Sequence, residues 1–442
     1  MALGVTEDFH FWQLDVSNAF PNADLREEIY MEAPEIMGLG NHKVLKLLKA
    51  LYGLKQASRE WHQHVRKFLV EELGFTQMIS DSFVFKRGEG TNTMIVILYV
   101  DDIIMAFKCI DGIHILVQQF KSKFLITDKP LDFALGIKFI DSRKTVGTIT
   151  LDLNAFTDSM ITRFAEHIPE GPPVHVPMHP DKQITREQCP ETEEEKEQMK
   201  NYPYRNVIGS FMYLVNAVRI DAIYAANRQA RFMDNPSLTH WESVQHTLQY
   251  FKTHPHAQLC YTKHIHPEHR NVLIAYVDAN WERHKDKAVS TGGHVNFLNG
   301  APISWRCGKQ KSASGSSAEA EYKELYEVGI ELMAERNFLA EIGYPMPDPT
   351  VIFEDSDACI KYADNPVQDS TMKGIDTKYH AVRQFIEQGQ MFTVKVKGDD
   401  NIADMLTKAL LNAKHNGFAS LTLHFPLTDK LSHVSSTKQQ RS

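Results

Sequence analysis

The sequence predicts an α/β chain in two parts. The first is an α+β region built on an antiparallel hairpin with flanking helices, and the second is a mixed five-stranded sheet with helices. Two β-rich runs, 94–98 and 103–107, flank the tight polar stretch Tyr99-Val100-Asp101-Asp102 and read as a hairpin. Helical stripes lie on either side of it in the chain. From Val272 onward, five strand-like runs alternate with helical ones, the pattern of an α/β layer.

Taken in order, Gln13-Leu14-Asp15-Val16 is a short β-type stretch carrying an acid, followed by Asn18-Ala19-Phe20. Residues 58–73 form an amphipathic helix: Trp61, Val65, Phe68, Leu69 and Leu73 share a stripe and Gly74 follows as a C-cap. Ile113, Leu116, Val117, Phe120 and Phe124 predict a second helix over 112–124. Residues 133–140 and 147–153 read as strands, and 154–167 as a helix opened by Asn154. Five prolines between 169 and 180, then the acidic run 191–197, predict a mobile linker over 169–203. Residues 204–256 turn helical. Strands at 272–277, 291–297, 301–306, 350–355 and 391–397 then alternate with helices at 317–342, 356–364 and 377–388, before a terminal helix and a polar, disordered tail.

A chain of 442 residues is long enough for two or three domains with real cores. The longest apolar run, around 94–100, is too short to span a bilayer, and the acid-bearing N-terminus has no signal-peptide pattern. Cys109, Cys189, Cys260, Cys307 and Cys359 are scattered and odd in number, which argues for a reducing compartment and against a disulfide framework or zinc ribbon. The histidines at 254, 256, 264, 266 and 269, with Cys260, match no zinc spacing and read as a polar loop. A net charge of −8 is awkward for a nucleic-acid binder. Locally, however, residues 41–67 hold seven basic side chains against the single acid Glu60. That stretch reads either as a solvated helix face or as a surface that grips a phosphate backbone.

Asp101 and Asp102 repel each other when both ionise, unless a cation neutralises them. Mg²⁺ is the natural one, since it takes oxygen ligands and leaves positions for substrate phosphates. Paired acids at a hairpin tip are also common as plain turn residues. Asp15 tips the balance, because a two-metal site for nucleotidyl transfer needs a third acid on a neighbouring strand. Phe20 is then the aromatic expected under the nucleotide sugar.

A second set of acids follows. Asp278 ends the first C-terminal strand, and Glu321 lies in the first turns of the long helix, which Ser316 and Glu319 open as a capping box. Glu321 shares a stripe with Leu325, Val328 and Leu332, where a carboxylate is costly unless paired or bound to metal. Asp355 ends the strand begun by Val351, and Asp404 starts the last helical stretch. Singly, each acid reads as a cap or a solvated residue. Together they can converge at one end of a sheet and suit two Mg²⁺ ions.

The chain resembles the reverse transcriptase–ribonuclease H part of copia-type long-terminal-repeat retrotransposon polyproteins. The carrying segments are LDVSNAFPNADLREEIYMEAPE (14–35), LYGLKQASREW (51–61), YVDD (99–102), LGIKF (135–139), YRNVIGSFMYL (204–214), YVDANW (276–281), ISWRCGKQ (303–310), SSAEAEYKEL (316–325) and NIADMLTKAL (401–410), in the family's order. The resemblance implies a reverse transcriptase palm over 1–168, the linker 169–203, a thumb- or connection-like helical region over 204–271, a ribonuclease H-like domain over 272–425 and a disordered tail over 426–442. It implies Mg²⁺, with Mn²⁺ as a substitute, held by Asp15, Asp101 and Asp102 for polymerisation and by Asp278, Glu321, Asp355 and Asp404 for RNA cleavage. Substrate contacts fall to Phe20, Lys55, Gln56 and Arg59. The implied partners are an RNA template, a DNA primer, an RNA–DNA hybrid and deoxynucleoside triphosphates, with no membrane. The implied location is intracellular, either cytoplasmic in a virus-like particle or nuclear.

The chain departs from the family at Ser17-Asn18, Pro21, Ala23, Ser58, Asn280, Ser356 and Gly374, and only 14 residues precede Asp15 where relatives carry a fingers subdomain. The expectation is an N-terminally truncated region with weak or absent polymerase activity and a more competent nuclease. The alternative is a catalytically dead remnant that at most binds nucleic acid.

Overall fold

The computed structural model describes residues 1–38, 43–265, 270–281, 289–364 and 377–423. The expected tail, Gly374, His266 and His269 lie outside the described residues. The chain divides into two compact units: 7–135 with 337–345, and 1–6 with 136–336 and 346–442. No described helix is long and apolar enough to cross a membrane.

In the first unit, β1 (His10–Val16) is followed by the ribbon of β2 (Asp24–Glu32) and β3 (Val44–Lys49), then by helix α1 (Ala57–Lys67). Next come β4 (Thr76–Gln77), β5 (Val84–Arg87), β6 (Met94–Tyr99), β7 (Asp102–Phe107), helix α2 (Ile110–Lys121) and β8 (Ile126–Pro130). Six strands form one antiparallel sheet in the order β4-β5-β6-β7-β1-β8. Alternation decides which face is apolar. Ile103, Met105 and Phe107 of β7 point to the core, where Leu14, Val16 and Val96 join them under Trp61 and Val65 of α1 and Leu116 and Phe120 of α2. The helix expected over 58–73 is α-helical to Lys67 and then widens into a π-turn at Phe68–Glu72, which buries both Phe68 and Leu69. Gly74 closes it at φ +70°, the left-handed conformation a C-cap glycine supplies without strain.

In the second unit, β9 (Ile137–Ser142), β10 (Thr148–Asp152) and β11 (Leu259–Thr262) pair antiparallel. Helix α3 (Asn154–Arg163) is capped from outside itself, because the Asp152 carboxylate accepts from both the backbone N–H (2.6 Å) and the side chain (3.0 Å) of Asn154. The acidic run at 191–197 contains α4 (Glu193–Met199), opened by a Thr192/Glu195 capping box. Helices α5 (Tyr204–Ala217), α6 (Ile223–Ala230) and α7 (Leu238–Thr253) follow. The proline-rich stretch lies along α7, whose Gln249, His246 and Thr247 side chains bond the carbonyls of Pro169, Val176 and Pro177 at 2.8–3.0 Å.

The C-terminal sheet has five strands, β12 (Leu273–Asn280), β13 (Thr291–Leu298), β14 (Ala301–Lys309), β15 (Thr350–Glu354) and β16 (Met391–Lys395), in the order β14-β13-β12-β15-β16. The first three pair antiparallel, while β12 with β15 and β15 with β16 run parallel, so the sheet is mixed as predicted. Helix α8 (Ser317–Glu341) links β14 to β15; α9 (Asp357–Asp364), α10 (Ala381–Glu387), α11 (Asp404–Thr407) and α12 (Asn412–Leu423) follow.

The contact between α8 and the sheet is partly polar. Buried His294 on β13 bonds Glu324 through Nδ1 and Glu331 through Nε2, both at 2.9 Å. Arg306 donates to Glu327 at 2.6 Å, Asn296 to Glu335 at 3.1 Å, and Ser304 to Glu331. Burial opposes the imidazolium, but the bonds and charges of Glu324 and Glu331 outweigh it and hold His294 up at about 9. A His raised when folded contributes stability that is complete below its unfolded pKa and is lost as pH rises through the folded value. Burial also raises Glu335 to about 7, which removes stability in the same direction at lower pH. The unit is therefore expected to lose about 3 kcal/mol between pH 6.5 and 9. Urea unfolding midpoints at three pH values check this, and His294→Gln should flatten the profile in that window.

Candidate active sites

In the first unit, hairpin register places the acids. Tyr99 pairs with Asp102 across β6 and β7, leaving Val100 and Asp101 as a two-residue loop. Val100 sits at φ +53°, a conformation that a β-branched residue adopts only under strain, and the Trp61 indole donates to its carbonyl at 2.7 Å. Asp15 on β1 stands directly opposite Asp102 on β7. The two line one cavity with Gln13, Thr127, Lys129 and Phe133. Burial, then the charges of Asp15 and Asp101, push the Asp102 carboxyl up. Asp101 has one buried oxygen without a partner, while the other accepts from the Tyr52 hydroxyl at 2.7 Å. Burial and that bond push the Tyr52 phenol up to about 12. Tyr52 was not singled out in the sequence; its ring lies 4.5 Å from that of Phe20.

Pro21 fits the start of a 3₁₀ turn, Phe20–Asn22, where its missing N–H costs nothing. Gln56 and Arg59 both turn to Glu27 of the β2–β3 ribbon, at 2.9 and 3.2 Å, and Lys55 is exposed. Lys46 pairs with Glu28, Lys49 with Asp24 at 2.6 Å, and Arg59 also with Glu60. Part of the basic run is thus neutralised by acids from β2 and α1.

The second unit gathers its acids more tightly. Among the described residues, one set of potential ligands has oxygens all within 4.8 Å of one another: Asp278, Glu321 and Asp355. Asp278 is 3% exposed on β12 and Glu321 4% exposed on α8, whose opening turn is held by the Glu319 N–H on Ser316 Oγ (3.1 Å). Asp355 follows the end of β15. One Glu321 oxygen is buried with no partner. Burial raises the Asp278 carboxyl to about 6 and Glu321 well above the carboxylate range, with neighbouring acids adding to both. Three hard oxygen donors in one cavity, one of them orphaned, fit a divalent cation. The acids Asp15, Asp101 and Asp102 do not gather within that span, and Asp404 also stands outside it. Asp404 is instead held by Lys408 at 2.5 Å and Lys414 at 2.8 Å.

Three residues of this site escaped the sequence reading. Glu354 is fully buried beside Asp355, accepts from the Ser356 N–H at 2.8 Å, and is raised to about 8 by burial. The available signal was an acid closing the apolar run Thr350–Glu354. Lys408 stands four residues after Asp404, a helical ion-pair spacing that was readable, whereas Lys414 was not. Of the departures, Ser356 Oγ accepts from the Cys359 N–H at 3.3 Å and so serves α9 as a cap. Asn280 donates to the Thr407 carbonyl at 3.4 Å.

Gly293, opposite Asp278 on β13, lets α11 come close. A Cβ there would lie 2.8 Å from Leu406 Cβ and 2.9 Å from Thr407 Cγ2. Gly293→Ala is expected to cost about 1–3 kcal/mol through overpacking, read as a lower urea midpoint.

The first unit thus carries an acid-tipped antiparallel sheet, and the second a mixed sheet with a carboxylate apex. A model of the family "Reverse transcriptase (RNA-dependent DNA polymerase)" matches residues 1–180. The retrovirus-related Pol polyprotein from transposon TNT 1-94 of Nicotiana tabacum is 33% identical over 93% of this chain and 30% of its own length. That from transposon RE1 of Arabidopsis thaliana is 32% identical over 95% of the chain and 28% of its own length. The chain is thus similar over most of its length to these retrovirus-related Pol polyproteins, and spans less than a third of their own length. LC11-RNase H1, isolated from compost, aligns with 31% of the chain at 17% identity and a TM-score of 0.25, too low to bear weight.

Proposed function

We propose that the second unit cleaves the RNA strand of an RNA–DNA hybrid, with Mg²⁺ or Mn²⁺ held by Asp278, Glu321 and Asp355. The supporting observation is the convergence of those three acids, with a Glu321 oxygen left unpartnered among buried groups. Such an ion supplies a polarised water and offsets charge on the phosphate. The protein's own part is to hold three carboxylates together against their repulsion, which α8 and the ends of β12 and β15 do. The test is release of labelled RNA fragments from a hybrid by the full chain. A folded chain that leaves the hybrid intact at high metal favours the remnant reading.

A second reading concerns the first unit, and the register of Asp15 opposite Asp102 favours it. Asp15, Asp101 and Asp102 serve RNA-directed DNA synthesis, with an RNA template, a DNA primer and deoxynucleoside triphosphates as partners. This reading places the work inside the cell, in a cytoplasmic particle or the nucleus, in keeping with cysteines that are scattered and odd in number.

A further inference from the structure

We propose that Trp281 is a substrate-contact residue of the nuclease site: its ring packs on the sugar beside the scissile phosphate of an RNA–DNA hybrid. This rests on the nuclease reading of Asp278, Glu321 and Asp355. Trp281 directly follows β12, three residues after Asp278, and lines the same cavity as those three acids. The cavity holds about 450 Å³, room for a sugar–phosphate unit. Apart from the methyl of Ala279, every other side chain lining it is polar or charged. Trp281 is half-buried, so part of a large apolar ring meets water in a polar cleft. Apolar surface there is unfavourable until something covers it. A sugar, apolar on its face and polar at its rim, covers the ring while its phosphate reaches the acids.

The ring is fixed before any substrate arrives. Its indole N–H donates to the Ser314 carbonyl at 2.9 Å. Ser314 is buried, and its hydroxyl lies 3.2 Å from both Gln310 Oε1 and Lys323 Nζ. Lys323 is itself buried on α8, donates to the Ala313 carbonyl at 2.6 Å and pairs with Glu319 at 2.8 Å. A buried ammonium is costly unless it is paired and hydrogen-bonded in this way. Glu319 and Lys323 thus hold the 313–314 turn that orients Trp281. With its only donor committed, the indole offers the substrate a ring face. A ring face reads no base edge, so the contact is the same for any sequence. A side chain held in place beforehand also loses little rotamer freedom on contact.

The experiment reads hybrid cleavage and hybrid binding by the full chain. Trp281→Ala should raise KM for cleavage by about 5- to 100-fold with kcat held, the loss expected on truncating an aromatic that a nucleotide packs against. Trp281→Phe keeps a ring face without the N–H and should lie much closer to the parent. Hybrids of three unrelated sequences should show the same loss. In an Asp355→Asn background, where cleavage is slow, hybrid should quench the emission of the chain's five tryptophans, and Trp281→Phe should diminish that quench. A folded Trp281→Ala with parental KM, a Trp281→Phe as weak as Trp281→Ala, a loss that depends on sequence, or an undiminished quench overturns the proposal. So does a lowered kcat at parental KM, which would make Trp281 a support for the turn before α8. Should Trp281→Ala fail to fold by circular dichroism, the quench in Trp281→Phe decides alone. If the parent neither binds nor cuts the hybrid, the nuclease reading falls and this proposal with it.

Discussion

Glu321→Gln and Asp355→Asn are each expected to cut hybrid cleavage by about 10²- to 10³-fold, the loss typical of removing a group that stabilises transition-state charge. The variants should stay folded. Glu321 is buried among Glu354, Asp278 and Asp355, and its carboxyl is pushed well above the ordinary range by burial and then by those neighbours. A carboxyl raised in the folded state binds protons more tightly there than in the unfolded chain. In the metal-free protein it therefore costs stability as pH climbs above the ordinary carboxylate range. The neutral amide removes that cost, so metal-free Glu321→Gln should be at least as stable as the parent at pH 8. The parent should gain stability from Mg²⁺ by mass action, about 2.7 kcal/mol at 100 times the dissociation constant, and Glu321→Gln should not. Labelled-RNA release and thermal unfolding with and without Mg²⁺ give the two readings. Full cleavage by Glu321→Gln would remove this acid from the site.

The elements that position both sites were legible because their patterns are local. Ile103, Met105 and Phe107 alternate around a two-residue loop, which fixes a hairpin and puts Asp101 and Asp102 at its end. Leu325, Val328 and Leu332 share the Glu321 stripe, and all three are fully buried, so a carboxylate among them was visibly out of place. What stayed hidden depends on partners distant in sequence. Lys46, Lys49 and Arg59 looked like a basic surface until β2 brought Glu28, Asp24 and Glu27 beside them. The acids at 324, 327, 331 and 335 look like a solvated helix face, but they meet His294, Arg306, Ser304 and Asn296. The double hold of Lys408 and Lys414 on Asp404 needs the turn between α11 and α12, which no periodicity announces. Glu354 was passed over because the expected strand ran on to Asp355, and only its full burial tells the two apart in environment.

In the first unit, Asp102→Asn is expected to lower divalent-ion affinity by at least about 10- to 100-fold, and template-directed primer extension with it. Asp102 is the acid most exposed to its neighbours' charge: Asp15 stands opposite on β1 and Asp101 precedes it in the loop. Burial and those two charges push its carboxyl up, so the metal-free trio stores repulsion that a cation relieves. Tyr52 separates ion binding from mere folding of the hairpin. Its hydroxyl occupies one Asp101 oxygen at 2.7 Å, and the other oxygen is buried without a partner. Tyr52→Phe keeps the ring against Phe20 and releases that oxygen, so it should tighten Mn²⁺ binding where Asp102→Asn weakens it. The opposed shifts cannot both come from a loosened loop, which would weaken binding in each variant. Mn²⁺ titration of both variants, with extension of a primed RNA template as the second reading, checks the pair. Equal Mn²⁺ affinity in the parent and Asp102→Asn would show that the hairpin acids are turn residues, and the polymerase reading would fall with them.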